Sequence, residues 1–152
     1  MIEFENVIEI EKPVREVFAF VSNFENASKW NYYVLEVKKT TEGPVKVGTT
    51  FYQTRKTDNQ SFKIVEYEPE KKVSIQTLPD SKPSFEMRFS FEPVKEGTRL
   101  IDNWKLDSGK PGLIEKLAKI MVQKAAKENL KKLKKLLETG KVELQDGRLK
   151  QI

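Results

Sequence analysis

The order of its elements constrains this chain most. Hydrophobic spacing predicts one strand, two short helices, a long run of strands and finally one long helix. A lone amphipathic helix must then cover a whole antiparallel sheet, and that packing leaves room for a cavity between the two layers.

Residues 2–11 alternate, with Ile2, Phe4, Ile8 and Ile10 on one side and Glu3, Glu9 and Glu11 on the other, as in a half-buried strand. Lys12-Pro13 ends it, and Pro13 suits a first helical position, where a missing N–H costs nothing. Val14, Val17, Phe18 and Val21 then recur at helical spacing. Ser22-Asn23-Phe24-Glu25 reads as a capping box for a second short helix reaching about Trp30.

From Tyr33 to Asp107 the period is two, giving strands over 33–41, 49–56, 61–68, 72–78, 84–92 and 97–107. Turn signals such as Glu42-Gly43-Pro44 and Lys95-Glu96-Gly97 separate them, so consecutive strands are antiparallel neighbours. Ile64 and Val65 are both apolar, which calls for a bulge there. With the first strand, the sheet has about seven members. After Ser108-Gly109-Lys110-Pro111-Gly112 a helix runs to about Glu138, with Gly140 as its stop. Its apolar arc includes Ile114, Ala118, Val122, Leu133 and Leu136. Leu113, Leu117 and Ile120 widen the arc in the first turns, and packing against the short helices or loops is the expectation for them, with contact to a partner as the alternative. Residues 1–139 thus form one α+β domain. The tail, 140–152, reads as a β-hairpin in which Asp146-Gly147 is a two-residue turn pairing Glu143 with Lys150.

Composition narrows the chemistry. The chain has no His and no Cys, which removes the commonest general base, thiolate ligands and disulfides. No carboxylate cluster has metal-loop spacing, so neither a metal nor a cofactor is expected. The opening residues lack a basic stretch and cleavage site, and no apolar run approaches ~18 residues, so a cytoplasmic protein without a membrane span is the expectation. The net charge is +5, and Lys110–Lys135 alone holds nine Lys against two Glu, a local +7 that leaves −2 for the remainder. A solvated helix face explains this most simply. The same face suits an acidic protein, RNA or transient contact with a membrane surface, but it lacks the interleaved aromatics of single-strand binders, and no sequence-specific nucleic-acid recognition is expected. The oligomeric state stays open, a dimer included.

The run Ile8-Glu9-Ile10-Glu11-Lys12-Pro13-Val14 with Val17 and Phe18, Trp30 after the second helix, Gly43-Pro44-Val45 with Val47-Gly48-Thr49, and Val65-Glu66-Tyr67-Glu68-Pro69 together resemble a known pattern. It is that of the START-like, or Bet v-type, helix-grip superfamily, and within it of the bacterial polyketide cyclase/dehydrase and lipid-transport group. The resemblance covers about residues 2–138. It implies a deep apolar cavity between a curved antiparallel sheet and the last helix. Members bind lipids, quinones, hormones or polyketides, and a minority perform chemistry.

The candidate site follows from which faces point inward. Leu100, Asp102, Trp104 and Leu106 share the more apolar face of their strand, assigned to the cavity. Asp102 is then a carboxylate on an apolar surface, whose pKa rises by desolvation unless a cation pairs with it. It is the one catalytic candidate, as the acid–base group of a cyclase or dehydratase; an ion pair with an Arg or Lys on a neighbouring strand, or a register shift that puts it in water, is the simpler expectation. Trp30 and Trp104 suit a planar apolar ligand, although core packing is the commoner role of such rings. Phe85, Met87 and Phe89 continue the inner face with Phe91, joined by Ile75. Phe51, Gln53 and Arg55 share another strand face, where Gln53 offers a hydrogen bond and Arg55, at the strand end, is expected in solvent. Leu117, Met121 and Ala125 of the last helix complete the ligand-binding set, and Asn129 is the polar side chain of its inward arc. A non-enzymatic carrier or sensor of a small hydrophobic molecule is the leading expectation. A cyclase-type enzyme using Asp102 and an interaction module using the Lys-rich helix are the alternatives.

Overall fold

In the computed structural model, which describes residues 1–152, strand β1 (Ile2–Ile10) leads into α1 (Val14–Val21), with Pro13 preceding the helix as its N-cap residue. A short 3-10 helix follows over Phe24–Lys29. Its cap is Asn23, whose Oδ1 accepts the Glu25 backbone N–H, one residue beyond the Ser22 expected from the capping box. The strand run is β2 (Val34–Lys39), β3 (Thr50–Arg55), β4 (Asn59–Glu68), β5 (Lys72–Thr77), β6 (Phe85–Val94) and β7 (Gly97–Leu106). These six pair with β1 in the order β1-β7-β6-β5-β4-β3-β2, every neighbour antiparallel, so that the first strand docks on the last. The expected bulge occurs between Ile64 and Glu66. Bulges and strand twist curl the sheet into a half-barrel.

Helix α2 (Gly112–Thr139) lies in the concave face and ends at Gly140. The core forms where its C-terminal half meets the sheet. Leu130, Leu133, Leu136 and Leu137 are buried there, facing a sheet whose β6 stripe Phe85, Met87, Phe89 and Phe91 is buried as well. Each such side chain contributes about 1.5–3 kcal/mol by leaving water. The alternation of β6 therefore translates directly into a wet outer and a dry inner face.

The N-terminal half of α2 departs from expectation. Leu113, Ile114, Leu117, Ile120 and Met121 are exposed rather than packed on the short helices. The 3-10 helix packs chiefly against β2, and α1 against β6, β7 and the 3-10 helix. Here α2 is tied to β1 by a reciprocal clamp, in which Gln123 Nε2 donates to the Glu5 carbonyl and Asn6 Nδ2 to the Gln123 carbonyl. Its first turn is tied by Glu115, which accepts from the Met1 ammonium and Ser108 Oγ.

The tail forms the hairpin β8 (Lys141–Glu143) and β9 (Leu149–Gln151), but in a different register. Glu143 pairs with Leu149, not Lys150. The Leu144 N–H donates to the Arg148 carbonyl, leaving a three-residue loop, 145–147, with Gly147 at φ 91°. A three-residue loop ending on a left-handed Gly is the next commonest hairpin solution after the two-residue turn. Val142 and Leu144 are buried, so the hairpin is seated on the body of the protein.

Candidate functional site

Between the sheet and α2 lies a cavity of about 350 Å³. Its floor is the inner sheet face, with Phe62, Ile75, Met87 and Phe89 from β4, β5 and β6. Phe85 and Trp104 close one side, where the indole stacks on Phe4 at 6.1 Å and tilts against Phe85 at 5.5 Å. The 3-10 helix supplies the facing wall. Phe24 packs on Phe51, Phe62 and Phe89 at centroid distances of 5.7, 5.7 and 6.5 Å, and Trp30 meets Phe89 at 6.3 Å. Met121, Val122, Ala125 and Ala126 of α2 form the roof. Met121 and Tyr33 both line the cavity and are both exposed, which places its mouth between them.

The sequence-derived set divides accordingly. Trp30, Gln53, Ile75, Phe85, Met87 and Phe89 come together around the cavity, as do Trp104, Met121 and Ala125. Phe51 and Leu100 are wholly buried but lie outside the lining, in parts of the inner face where side chains fill the space. Leu117 is 59% exposed and points away from the cavity. The lining also recruits residues that the sequence reading missed, among them Phe4, Phe24, Asn31 and Pro83. Phe4 and Phe24 carried a signal, since they sit at inward positions of the first strand and the 3-10 helix. Asn31 and Pro83 lie in loops, where no periodicity reports the facing direction.

Asp102 is 2% exposed yet outside the lining, sealed behind Trp104. No Arg or Lys pairs with it, contrary to the simpler expectation. Its Oδ1 accepts the backbone N–H of Asn6 at 2.9 Å and its Oδ2 the indole N–H of Trp104 at 3.2 Å. Burial pushes its pKa up to about 6, these hydrogen bonds oppose the rise, and the Glu5 carboxylate adds to it. The ion pair failed to appear because the strands facing Asp102 present Asn6 and Phe89 at its level, with Glu5 and Arg88 on the opposite face.

Polar groups gather towards the mouth. Asn129 accepts the Tyr32 backbone N–H at 3.2 Å and donates to Asn31 Oδ1 at 3.2 Å, fixing the loop that carries Tyr33. Arg55 is half-buried in the lining instead of extending into solvent. Its Nε lies 2.9 Å from Asp58 Oδ1, both atoms sealed and out of hydrogen-bond alignment. The C-terminal hairpin braces the same loop, with Arg148 Nη2 donating to the Tyr32 carbonyl at 2.7 Å and Asp146 held by Lys56 at 2.9 Å. Lys56 Nζ also stands 4.4 Å from the centre of the Tyr32 ring.

A second, larger depression of about 460 Å³ opens at the strand ends beside Met1, Glu3, Lys82, Glu86 and Lys105. Its charges are of mixed sign, and the Met1 ammonium is engaged by Glu115 at 2.7 Å. Nothing in it converges on a ligand, and the apolar cavity is the candidate site.

A curled sheet gripping a terminal helix around such a cavity defines the helix-grip class. The chain belongs to the polyketide cyclase / dehydrase and lipid transport family, whose model matches residues 1–138. A search among curated proteins found no sequence match. Among solved structures, the chain is similar to TTHA0849 of Thermus thermophilus, with a TM-score of 0.73 and 18% identity over 90% of this chain and 99% of that one. It is similar to the Aha1 dimer of Colwellia psychrerythraea, with a TM-score of 0.68 and 18% identity over 92% and 98% of the two chains. The di-domain ARO/CYC StfQ of the steffimycin biosynthetic pathway matches at a TM-score of 0.71 and 16% identity, over 90% of this chain and 51% of that protein. At these identities the likeness establishes the fold. No helix of the structure is long and apolar enough to cross a membrane.

Proposed function

We propose that this chain binds and carries one small hydrophobic molecule, of lipid, quinone or polyketide-like type, in the cavity between the sheet and α2. The observation that carries this reading is the cavity itself: about 350 Å³, walled mainly by aromatic and aliphatic side chains, with a few polar groups near the mouth. Trp30 and Trp104 both line it, offering broad flat surfaces to a planar or flexible apolar guest. Membership of a family described by polyketide chemistry and lipid transport supports the same ligand class.

A cyclase-type reaction with Asp102 as the acid–base group requires that carboxylate to reach a substrate. Both of its oxygens are already engaged behind the Trp104 ring, so binding is the better-supported role.

The test is native mass spectrometry of freshly purified protein, with organic extraction of anything bound. The expected result is a discrete added mass lost on denaturation, or, for protein purified empty, saturable uptake of 1-anilinonaphthalene-8-sulfonate that quenches the two tryptophans. Failure of both would sink the proposal.

One observation favours a second reading alongside the first. The exposed apolar face of α2, Leu113 to Met121, is flanked by Lys110, Lys116, Lys119 and Lys124 and ends at the cavity mouth, because Met121 belongs to both. An apolar stripe bordered by cations matches an anionic lipid surface better than it matches a second, equally cationic copy of the same helix.

A further inference from the structure

The apolar lining is broken on β3 by Gln53, which is 7% exposed and faces the cavity. A buried amide has one oxygen and two N–H groups to satisfy, and which way round it lies decides what a ligand meets. Gln53 stands opposite Gln60 in the β3–β4 register, and its Nε2 donates to Gln60 Oε1 at 2.9 Å. Gln60 Nε2 donates in turn to the carbonyl of Pro83 at 2.8 Å.

The direction of this relay is dictated by its far end. A backbone carbonyl only accepts, so Gln60 must turn its NH2 group to Pro83. That leaves the Gln60 oxygen towards Gln53, which must answer with its own NH2. Both amides are thereby fixed by chemistry, and neither can flip without setting donor against donor or acceptor against acceptor. The Gln53 Oε1 is what remains, and no protein group donates to it. It is not sealed either, since Arg55 Nε and Asp58 Oδ1 are the only side-chain polar atoms buried without a partner. An acceptor inside an apolar cavity is costly when empty and selective when filled.

We propose that the molecule bound here carries a hydroxyl or N–H donor on an otherwise apolar frame, and that this donor is seated on Gln53 Oε1. This rests on the cavity being the binding site and adds to it the polarity of the ligand. A phenol, alcohol or amide N–H fits. An ether or an ionised carboxylate at the same place brings no proton to share and meets the lone pairs of Oε1.

The experiment compares 2-naphthol with 2-methoxynaphthalene, which share a ring system smaller than the cavity and differ in the donor. Calorimetric titration of the wild-type protein is expected to give about tenfold tighter binding of the naphthol. Gln53→Met, read as the ratio of the two affinities within the same variant, is expected to abolish that preference. In wild-type protein labelled with ¹³C at glutamine side-chain carbonyls, naphthol is expected to shift the Gln53 resonance downfield and the ether to leave it in place. This last measurement stands even where the variant does not fold. Equal affinities, a preference that survives Gln53→Met, or bound naphthol without the carbonyl shift would each overturn the donor assignment and leave the cavity reading intact. No binding of either naphthalene, together with no uptake of 1-anilinonaphthalene-8-sulfonate, would overturn both.

Discussion

Trp104 donates its indole N–H to the Asp102 carboxylate across 3.2 Å while its ring forms part of the cavity wall. One wall of the cavity is thus held from behind by a buried acid, itself anchored to β1 through the Asn6 N–H. A charge kept in such a place is a stability term that depends on pH.

The sign follows from the raised pKa. Asp102 holds its proton up to about 6 in the folded protein, against about 3.9 in the unfolded chain. Its contribution is fully present below about pH 4 and is lost as the pH rises through about 6. An amide in its place cannot titrate, but it sets an N–H against one of the two donors, so Asp102→Asn carries a constant offset in addition. The diagnostic quantity is the difference in unfolding free energy between wild type and Asp102→Asn, measured by urea titration at several pH values. It should move against the wild type by on the order of 1–3 kcal/mol between pH 4 and pH 7. Glu5, the acid nearest to it in effect, adds to the shift, so Glu5→Gln should reduce it. A difference that is flat with pH would show that Asp102 titrates normally.

Gly97 makes a purely steric prediction. A Cβ at this position would lie 2.1 Å from the Ile10 carbonyl oxygen and 2.9 Å from the Lys12 backbone nitrogen. Both are backbone atoms, and neither can swing aside as a side-chain tip would. Gly97→Ala should therefore force β1 away from the β6–β7 turn and cost about 2 kcal/mol or more in unfolding free energy. A thermal midpoint equal to that of the wild type would mean that the strand ends reposition freely.

The hairpin at the C-terminus braces the cavity mouth through Arg148 on the Tyr32 carbonyl. Arg148→Ala removes that bond and the nearby guanidinium, while Val142 and Leu144 keep the hairpin seated. Amide hydrogen exchange at Tyr32, Tyr33 and Val34 should accelerate about fivefold, the equivalent of about 1 kcal/mol of local stability, with β6 and β7 unchanged. Uniform acceleration across the sheet would assign the bond to global stability instead.

How far the sequence foretold this site depends on the range of each interaction. Phe85, Met87 and Phe89 were legible because strand alternation is local and fixes a face without reference to the rest of the fold. Alternation does not say how far along the face the space is filled, which is why Phe51 and Leu100 fell in solid core while Ile75 and Trp104 fell on the cavity. Of the two partners of Asp102, Trp104 lies two residues along the same strand face, but Asn6 was out of reach, since it arrives from a strand 96 residues away. The hairpin register turned on whether Gly147 ends a two- or three-residue loop, and Asp-Gly is compatible with both. Helical spacing identified the apolar arc of α2. It carried no information on what, if anything, that arc would meet.

That unpartnered arc gives the last prediction. Leu117 and Ile120 contribute little to folding, so Leu117→Glu combined with Ile120→Glu should change unfolding free energy by no more than about 0.5 kcal/mol per site. On phosphatidylglycerol vesicles the effect should be large. The apolar side chains are expected to enter the interface, and each nearby Lys adds about 1 kcal/mol of attraction to an anionic surface. Wild-type protein should sediment with these vesicles at low salt, lose binding as salt rises, and ignore phosphatidylcholine vesicles. The double substitution should weaken the association at least tenfold, because it removes apolar contact and introduces repulsion at once. Retained binding in the variant would assign the attraction to charge alone, and no binding by the wild type would leave the apolar face of α2 to a partner other than lipid. Because Met121 lies both on this face and at the cavity mouth, docking there would bring the cavity to the membrane surface, where an apolar ligand can pass without crossing water.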